Sequence, residues 1–168
     1  MIVLAVSDTH NKHENLFKIF EQETFDAVVF LGDVEYGEDI VRKKLEETHP
    51  LCPIKFLKGN CDNFKDFDES CVIIYDGIRF FAAHGHTFHV NFGREYLARE
   101  ALKEDCRYAL FGHLHLPIID EVEGVTCFNP GSVSEPRDEE HRASYGIIDI
   151  EDQNVILEHR FVDELGEE

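Results

Sequence analysis

Several short apolar stretches of this chain end in residue types that can bind metal ions. They are AVSDTH at 5–10, FLGD at 30–33, FLKGNCD at 56–62, FAAHGH at 81–86 and LFGHLH at 110–115. In α/β proteins, ligands bind beyond the carboxyl ends of the strands, so we expect carboxylate, imidazole and amide groups from separate loops to converge on one cavity. Residues two apart in an extended segment share a face, so Asp8 and His10 can point into it together, as can His113 and His115.

Apolar periodicity and turn residues predict the elements that position these side chains. The first part reads as strands at 2–7, 27–31 and 53–57 alternating with helices at 13–22 and 37–47. This βαβαβ order indicates a parallel sheet. The second part reads as hairpins at 70–75 with 78–84, 117–122 with 125–128 and 144–150 with 154–161, plus a helix at 94–104 and a strand at 107–111. We therefore predict one α/β domain with two sheets at 1–162, followed by an acidic, frayed tail at 163–168.

Composition excludes several classes of function. The 168 residues carry 35 acidic and 16 basic side chains, a net charge of −19, and no basic stripe is visible. Stable binding to nucleic acid needs several phosphate contacts from Lys and Arg, so we expect none. The apolar runs are far shorter than the roughly 18 residues of a membrane span. MIVLAV lacks the flanks of a signal peptide, which predicts a cytoplasmic protein without a membrane segment.

Cysteine chemistry is not the basis of the predicted site. The five cysteines are scattered, with no CxxC pair. Their odd number and the missing signal peptide argue against a disulfide framework. A structural zinc site built from thiolates is similarly unsupported.

The order of the polar segments resembles a known family. D-x-H, G-D, G-N-x-D, H-G-H and G-H-x-H form the signature of the calcineurin-like metallophosphoesterases, and they run from Asp8 to His115. The late Asn-Pro-Gly-Ser segment at 129–132 resembles the small prokaryotic phosphodiesterase branch, to which the non-catalytic retromer scaffold subunit also belongs. The resemblance implies a four-layer sandwich of two mixed β-sheets face to face, flanked by helices.

The resemblance also implies two metal sites that share one carboxylate. The first metal would be held by Asp8, His10, Asp33 and His115. The second would be held by Asp33, Asn60, His84 and His113. Each site offers two imidazoles with oxygen donors and no thiolate, which suits two divalent transition-metal ions, Mn²⁺ first, with Fe, Ni, Co or Zn as alternatives. Two dications less the carboxylates of Asp8 and Asp33 leave a charge of about +2, which lets an acidic protein hold a phosphate.

A phosphoesterase mechanism follows from that resemblance. Two metals can acidify a bridging water so that hydroxide attacks phosphorus in line near pH 7. Asp33, Asn60 and His84 would be the catalytic residues, with Asn60 also neutralising charge on the phosphoryl oxygens. No protein nucleophile is required, so Ser7 and Ser132 are interpreted as turn residues bonded to the backbone.

Four neighbours of the motifs have open roles. His86 and Arg137 could contact substrate, or they could orient a ligand or lie in a solvated loop. Asp62 is expected to fix the Asn60 loop through local hydrogen bonds. Many members of the superfamily carry a proton-donating His where this chain has Cys61. A thiol is a poor hydrogen-bond donor, and Asp62 should disfavour its thiolate.

The substrate depends on loops at 62–70, 86–93 and 132–143. Within the first, Phe64 and Phe67 could line a pocket or pack locally. The leading hypothesis is a phosphodiesterase acting on a small phosphate ester or nucleotide. An interaction scaffold without turnover is the alternative, and the complete ligand set argues against it. A nuclease for long DNA is disfavoured by the charge, and the oligomeric state, including a homo-oligomer, stays open.

Overall fold

The computed structural model describes residues 1–166. Its strands are β1 (Ile2–Val6), β2 (Ala27–Phe30), β3 (Ile54–Phe56), β4 (Ser70–Tyr75), β5 (Ile78–Ala83), β6 (Tyr108–Leu110), β7 (Pro117–Val122), β8 (Val125–Pro130), β9 (Ser144–Glu151) and β10 (Asn154–Phe161). Its α-helices are α1 (Glu14–Gln22), α2 (Glu38–Thr48) and α3 (Glu95–Lys103). Each lies within one or two residues of a predicted element.

The strands form two mixed sheets. The first has the order β10-β9-β1-β2-β3, with β1, β2 and β3 parallel and β9 antiparallel to β1. The second has the order β4-β5-β6-β8-β7, with β5, β6 and β8 parallel and a hairpin at each edge. The predicted βαβαβ half and the three predicted hairpins are therefore confirmed.

Buried side chains point alternately to the two faces of the strands, and this pattern produces four layers. In β1, Leu4 and Val6 pack with α1 and α2 residues such as Leu16. Val3 and Ala5 point the other way and share a core with residues of the second sheet. The outer face of the second sheet packs against α3. Successive side chains of a strand point to opposite faces, so one strand contributes residues to two hydrophobic cores. The predicted four-layer sandwich of two mixed sheets flanked by helices is confirmed.

The polar loops meet at one edge of the two sheets. The Asp8 N–H donates to the Gly32 carbonyl at 3.0 Å, which joins the loops after β1 and β2. The Gly112 N–H donates to the His84 carbonyl at 2.9 Å, which joins the loops after β6 and β5. The His113 N–H donates to Asp8 Oδ2 at 3.1 Å, which brings the loops of the second sheet against those of the first.

The first residues of the predicted tail at 163–168 follow β10 and are described up to residue 166. Val162–Glu164 form a short 3-10 turn, and the Arg142 guanidinium pairs with Asp163 at 2.8 Å. Residues 167 and 168, the end of the predicted tail, lie outside the described residues. Across residues 1–166, no helix combines the length and apolar composition required to cross a bilayer.

Candidate metal centre

All seven predicted ligands lie together at the edge where the loops meet. In the first group, His115 Nε2 lies 3.2 Å from Asp8 Oδ1 and 3.3 Å from His10 Nε2. The His10 Nε2 atom lies 3.7 Å from Asp8 Oδ1 and 3.6 Å from Asp33 Oδ2. These spacings allow the donors of the first group to face one ion.

The second group shares Asp33 with the first. Asp33 Oδ2 lies 3.2 Å from His84 Nε2. Asn60 Oδ1 in turn lies 3.0 Å from His84 Nε2 and 3.0 Å from His113 Nδ1. Because Asp33 Oδ2 approaches His10 and His84 at once, it occupies the position that a bridging ligand requires.

The outer nitrogens of three imidazoles are fixed by acceptors. His84 Nδ1 donates to the Leu31 carbonyl at 2.6 Å, and His115 Nδ1 donates to the Glu135 carbonyl at 2.6 Å. A carbonyl only accepts, so each ring carries a proton on Nδ1 and directs Nε2 inward. His10 Nδ1 lies 2.8 Å from Glu35 Oε1. Imidazoles that bind metals are commonly oriented by such partners.

The Asp8 carboxylate provides the clearest indication of a missing cation. It is fully buried, and Oδ2 accepts hydrogen bonds from Ser7 Oγ at 2.6 Å and from the His113 N–H at 3.1 Å. Oδ1 has no hydrogen-bond partner among the described residues. A buried charged oxygen without a partner is costly, and Oδ1 faces His10 and His115. A divalent cation at this position would satisfy it.

The pKa values show that the centre favours positive charge. Burial alone would raise the pKa of Asp8, but the neighbouring His84, His10 and His115 hold it well below its ordinary value. The pKa of Asp33 is likewise lowered, against burial, chiefly by its hydrogen bond with His84. Conversely, the nearby Asp8 carboxylate, followed by that of Glu35, raises the pKa of His10 to about 9 against the effect of burial. Without metals, a proton on His10 therefore helps to balance the carboxylates, and a metal ion would replace that proton.

Most of the predicted ligands have a strained backbone. Five of the seven predicted ligands have a positive φ, namely Asp8 (57°), His10 (44°), Asp33 (61°), His113 (68°) and His115 (57°). Residues other than glycine rarely adopt this left-handed conformation, which costs on the order of 1–3 kcal/mol each and clusters at functional sites. The tight turns after the strands therefore direct these side chains toward one another at a cost in folding stability.

Two glycines permit the close packing of the site loops. A Cβ on Gly32, whose φ is 108°, would lie 2.3 Å from His84 Nδ1. A Cβ on Gly59 would lie 2.0 Å from Asp33 Oδ1. Both contacts are far shorter than van der Waals distance, so any larger residue would displace a predicted ligand.

Asp62 joins the loop of Asn60 to the loop of Asp33. Its side chain is fully buried. Oδ2 accepts from the Asp33 N–H at 2.7 Å and the Gly59 N–H at 2.9 Å, while Oδ1 accepts from the Glu35 N–H at 2.7 Å. The local hydrogen bonds expected from the sequence are present, and they also cross to the neighbouring loop.

Cys61 and His86 border the predicted ligands in different ways. The Cys61 N–H donates to Asp33 Oδ1 at 2.8 Å, while its exposed thiol has a pKa raised to about 11, by burial and by Asp33. The His86 ring lies 5.4 Å from that of His84 and 6.1 Å from that of His113, between ring centroids. Burial, followed by His84, lowers the pKa of His86, and its Nδ1 has no partner in the described part of the chain.

Arg137 is connected to the site only through its backbone among the described contacts. Its N–H donates to the His115 carbonyl at 3.0 Å, while the side chain is exposed. A grip on phosphate by its guanidinium therefore stays a sequence prediction.

Sequence reasoning missed Glu35 and misjudged Ser7. Glu35 Oε1 contacts His10, and Glu35 Oε2 accepts from Asn11 Nδ2 at 2.8 Å. Its position two residues after Asp33 was the available signal. Ser7 was expected to bond the backbone, but its hydroxyl donates to the carboxylate of Asp8 and so turns Oδ1 inward. Ser132 does bond the backbone, donating to the Asp8 carbonyl at 2.8 Å.

The donor chemistry fits divalent transition metals. Asp8, His10 and His115 offer donor atoms within 4.8 Å of one another, and so do Asp8, Asp33 and His84. Imidazole mixed with carboxylate suits Mn, Fe, Co, Ni and Zn. The residues present are therefore compatible with bound metal.

The chain is similar to known phosphoesterases in sequence and in fold. The chain is 31% identical to the "Probable metallophosphoesterase YsnB" of Bacillus subtilis, with 100% of this chain and 94% of that protein covered. It is 29% identical to "Phosphodiesterase YfcE" of Escherichia coli, with 93% and 91% covered. A crystal structure of a predicted phosphoesterase from Streptococcus pneumoniae superposes with a TM-score of 0.79 at 27% identity, covering 96% of this chain and 90% of that one.

A family model extends the agreement over most of the sequence. The model of the calcineurin-like phosphoesterase superfamily domain matches residues 1–153. That range includes every predicted ligand from Asp8 to His115. The chain therefore belongs to the calcineurin-like phosphoesterase superfamily.

Proposed function

We propose that this protein is a phosphodiesterase or related phosphoesterase that works with two divalent transition-metal ions, Mn²⁺ first. The observation that carries the proposal is the buried Asp8 Oδ1, which has no partner in the described residues and faces His10 and His115. The membership of the superfamily makes phosphate-ester hydrolysis the reaction class.

The first ion would be held by Asp8, His10, Asp33 and His115, and the second by Asp33, Asn60, His84 and His113. When bound, two such ions supply Lewis-acid charge and a water acidified to near neutral pH. The chain fixes the donors before binding, because the Leu31 and Glu135 carbonyls set the tautomers of His84 and His115.

Asn60 can act on the substrate as well as on a metal. Its Oδ1 faces His84 and His113, and its exposed Nδ2 donates one hydrogen to Cys61 Sγ at 3.5 Å, which leaves the second amide hydrogen to donate to a phosphoryl oxygen. Such a donor stabilises the charge that develops during in-line displacement.

The chain offers a weak acid where other members of the superfamily have His. The neutral Cys61 thiol, with its raised pKa, is a poor donor to a leaving oxygen. We therefore propose that the protein acts best on esters whose leaving groups need no protonation, such as small activated phenyl esters.

The test is a matrix of metals and substrates on protein freed of metal. Monoesters, diesters and cyclic nucleotides are each assayed with Mn²⁺, Fe²⁺, Co²⁺, Ni²⁺ and Zn²⁺. We expect hydrolysis of at least one ester class with Mn²⁺, and its loss in Asp33→Asn. If no metal restored hydrolysis of any ester, the proposal would fail and the interaction scaffold would replace it.

A further inference from the structure

Two exposed aromatic side chains lie on the loops that carry Asp33 and Asn60. Tyr36 is 74% exposed and Phe64 is 52% exposed. Their rings are stacked, with centroids 4.5 Å apart and planes 13° from parallel. Large aromatic side chains usually bury their faces in a core. The metal centre uses neither ring.

Phe64 has further contacts, whereas Tyr36 is the more exposed of the two rings. Lys65 Nζ lies 5.8 Å from the ring centroids of both Phe64 and Phe67. Phe67 stacks on the buried Phe56, with centroids 5.3 Å apart. Tyr36, at 74% exposed, therefore offers the larger free aromatic surface.

The pair is held at a fixed position relative to the predicted ligands. Tyr36 follows Asp33 by three residues and Phe64 follows Asn60 by four, so their Cα atoms lie within about 11 Å and about 15 Å of those residues. The Tyr36 N–H also donates to Asn11 Oδ1 at 2.9 Å. Asp62 joins the two loops through three backbone N–H groups.

We propose that Tyr36, supported by Phe64, is a stacking platform for a planar aromatic group of the substrate. The protein then prefers phosphate esters that carry a flat ring, such as those of nucleosides or phenols, over esters without one. This inference rests on the proposed function, since the metal centre must hold the phosphate. Stacking needs no positive charge and accepts any flat ring, which suits a chain with a net charge of −19.

The test compares ligands that differ only in their ring. Calorimetry on the Mn²⁺-loaded protein measures adenosine 5′-monophosphate against ribose 5-phosphate, and phenyl phosphate against cyclohexyl phosphate. Within each pair the phosphate contacts cancel. We expect the aromatic member to bind about tenfold more tightly, as stacking on an exposed aromatic residue provides. The two pairs distinguish a nucleobase from a simple aryl group.

Three variants test whether Tyr36 and Phe64 cause the preference for aromatic ligands. Tyr36→Leu should reduce the ratio of affinities to about one, whereas Tyr36→Phe, the matched control, keeps the ring and the ratio. Phe64→Leu removes the support and should lower the ratio independently. Both side chains are exposed, so the melting temperatures should change little.

The outcomes separate this inference from the proposed function. If the Mn²⁺-loaded wild type bound none of the four phosphates, the platform would be overturned, while the proposed function would still be decided by the matrix of metals and esters. Equal binding within both pairs, or a ring preference that Tyr36→Leu retains, would overturn the platform alone. Self-association lost in Tyr36→Leu, without any ring preference, would also overturn it and assign the rings to a contact between chains.

Discussion

Replacement of Asp62 tests whether the candidate metal centre depends on the hydrogen bonds that join its loops. Replacing Asp62 by Ala leaves the N–H groups of Asp33, Gly59 and Glu35 without their acceptor. The first two hydrogen bonds are buried and the third is partly buried. A buried unsatisfied donor costs roughly 1–3 kcal/mol, and water can reach the third. We therefore expect Asp62→Ala to lower the free energy of unfolding by about 3–4 kcal/mol.

The same change should weaken metal binding. Asp33 and Asn60 are positioned by the loops that Asp62 joins, and removal of groups that orient ligands typically costs about 10-fold to 100-fold in metal affinity. Asp62→Asn keeps one acceptor oxygen but turns an amide N–H₂ toward backbone donors. We expect it to lie between Ala and wild type, at about 2 kcal/mol.

Urea unfolding of protein freed of metal, followed by circular dichroism, measures the stability, and calorimetry measures Mn²⁺ affinity. Asp66→Asn is the matched control, because Asp66 is exposed on the same loop. It should change stability by no more than about 0.5 kcal/mol. A loss below about 1 kcal/mol for Asp62→Ala, with wild-type Mn²⁺ affinity, would refute the reasoning.

Three further predictions concern the metal centre. Glu35→Ala removes the carboxylate 2.8 Å from His10 Nδ1 and should weaken Mn²⁺ binding by about 10-fold to 100-fold, measured by calorimetry, with Glu35→Gln intermediate. Metal must displace the proton of His10, whose pKa is raised to about 9, so Mn²⁺ affinity should rise about tenfold per pH unit between about pH 6 and 8. Cys61→Ala should change hydrolysis of an activated phenyl ester by less than about tenfold, because the neutral thiol is neither nucleophile nor strong donor.

Each of these has a contradicting result. Wild-type Mn²⁺ affinity in Glu35→Ala would show that Glu35 does not orient His10. An affinity independent of pH from 6 to 8 would show that no proton is displaced from the imidazoles. A loss in Cys61→Ala as large as that in Asp33→Asn would make the thiol part of the chemistry.

The fold was predictable because its signals are local and repeated. Strand and helix patterns, and turns such as Asp76-Gly77, marked the elements to within one or two residues. Asp8, Asp33 and His84 were found because each follows a strand, and the carboxyl ends of parallel strands meet at one edge. The family resemblance then supplied the four-layer arrangement.

The contacts between loops were not predictable. Glu35 contacts His10 because its backbone has a φ of 55° and begins a 3-10 turn. A glutamate in the sequence does not predict this conformation. The stacking of Tyr36 on Phe64 joins two loops whose relative position depends on the buried Asp62. Sequence patterns report spacing along the chain, whereas these contacts depend on how separate turns pack.

The most direct test of the account is a titration of metal into metal-free protein with hydrolysis as the readout. The rate of cleavage of bis(p-nitrophenyl) phosphate is followed while Mn²⁺ is added in equivalents, with wild type and Asp33→Asn in parallel. The account predicts that activity develops as the second equivalent binds and is absent in Asp33→Asn. Full activity at one equivalent, or unchanged activity in Asp33→Asn, would contradict the shared carboxylate on which the account depends.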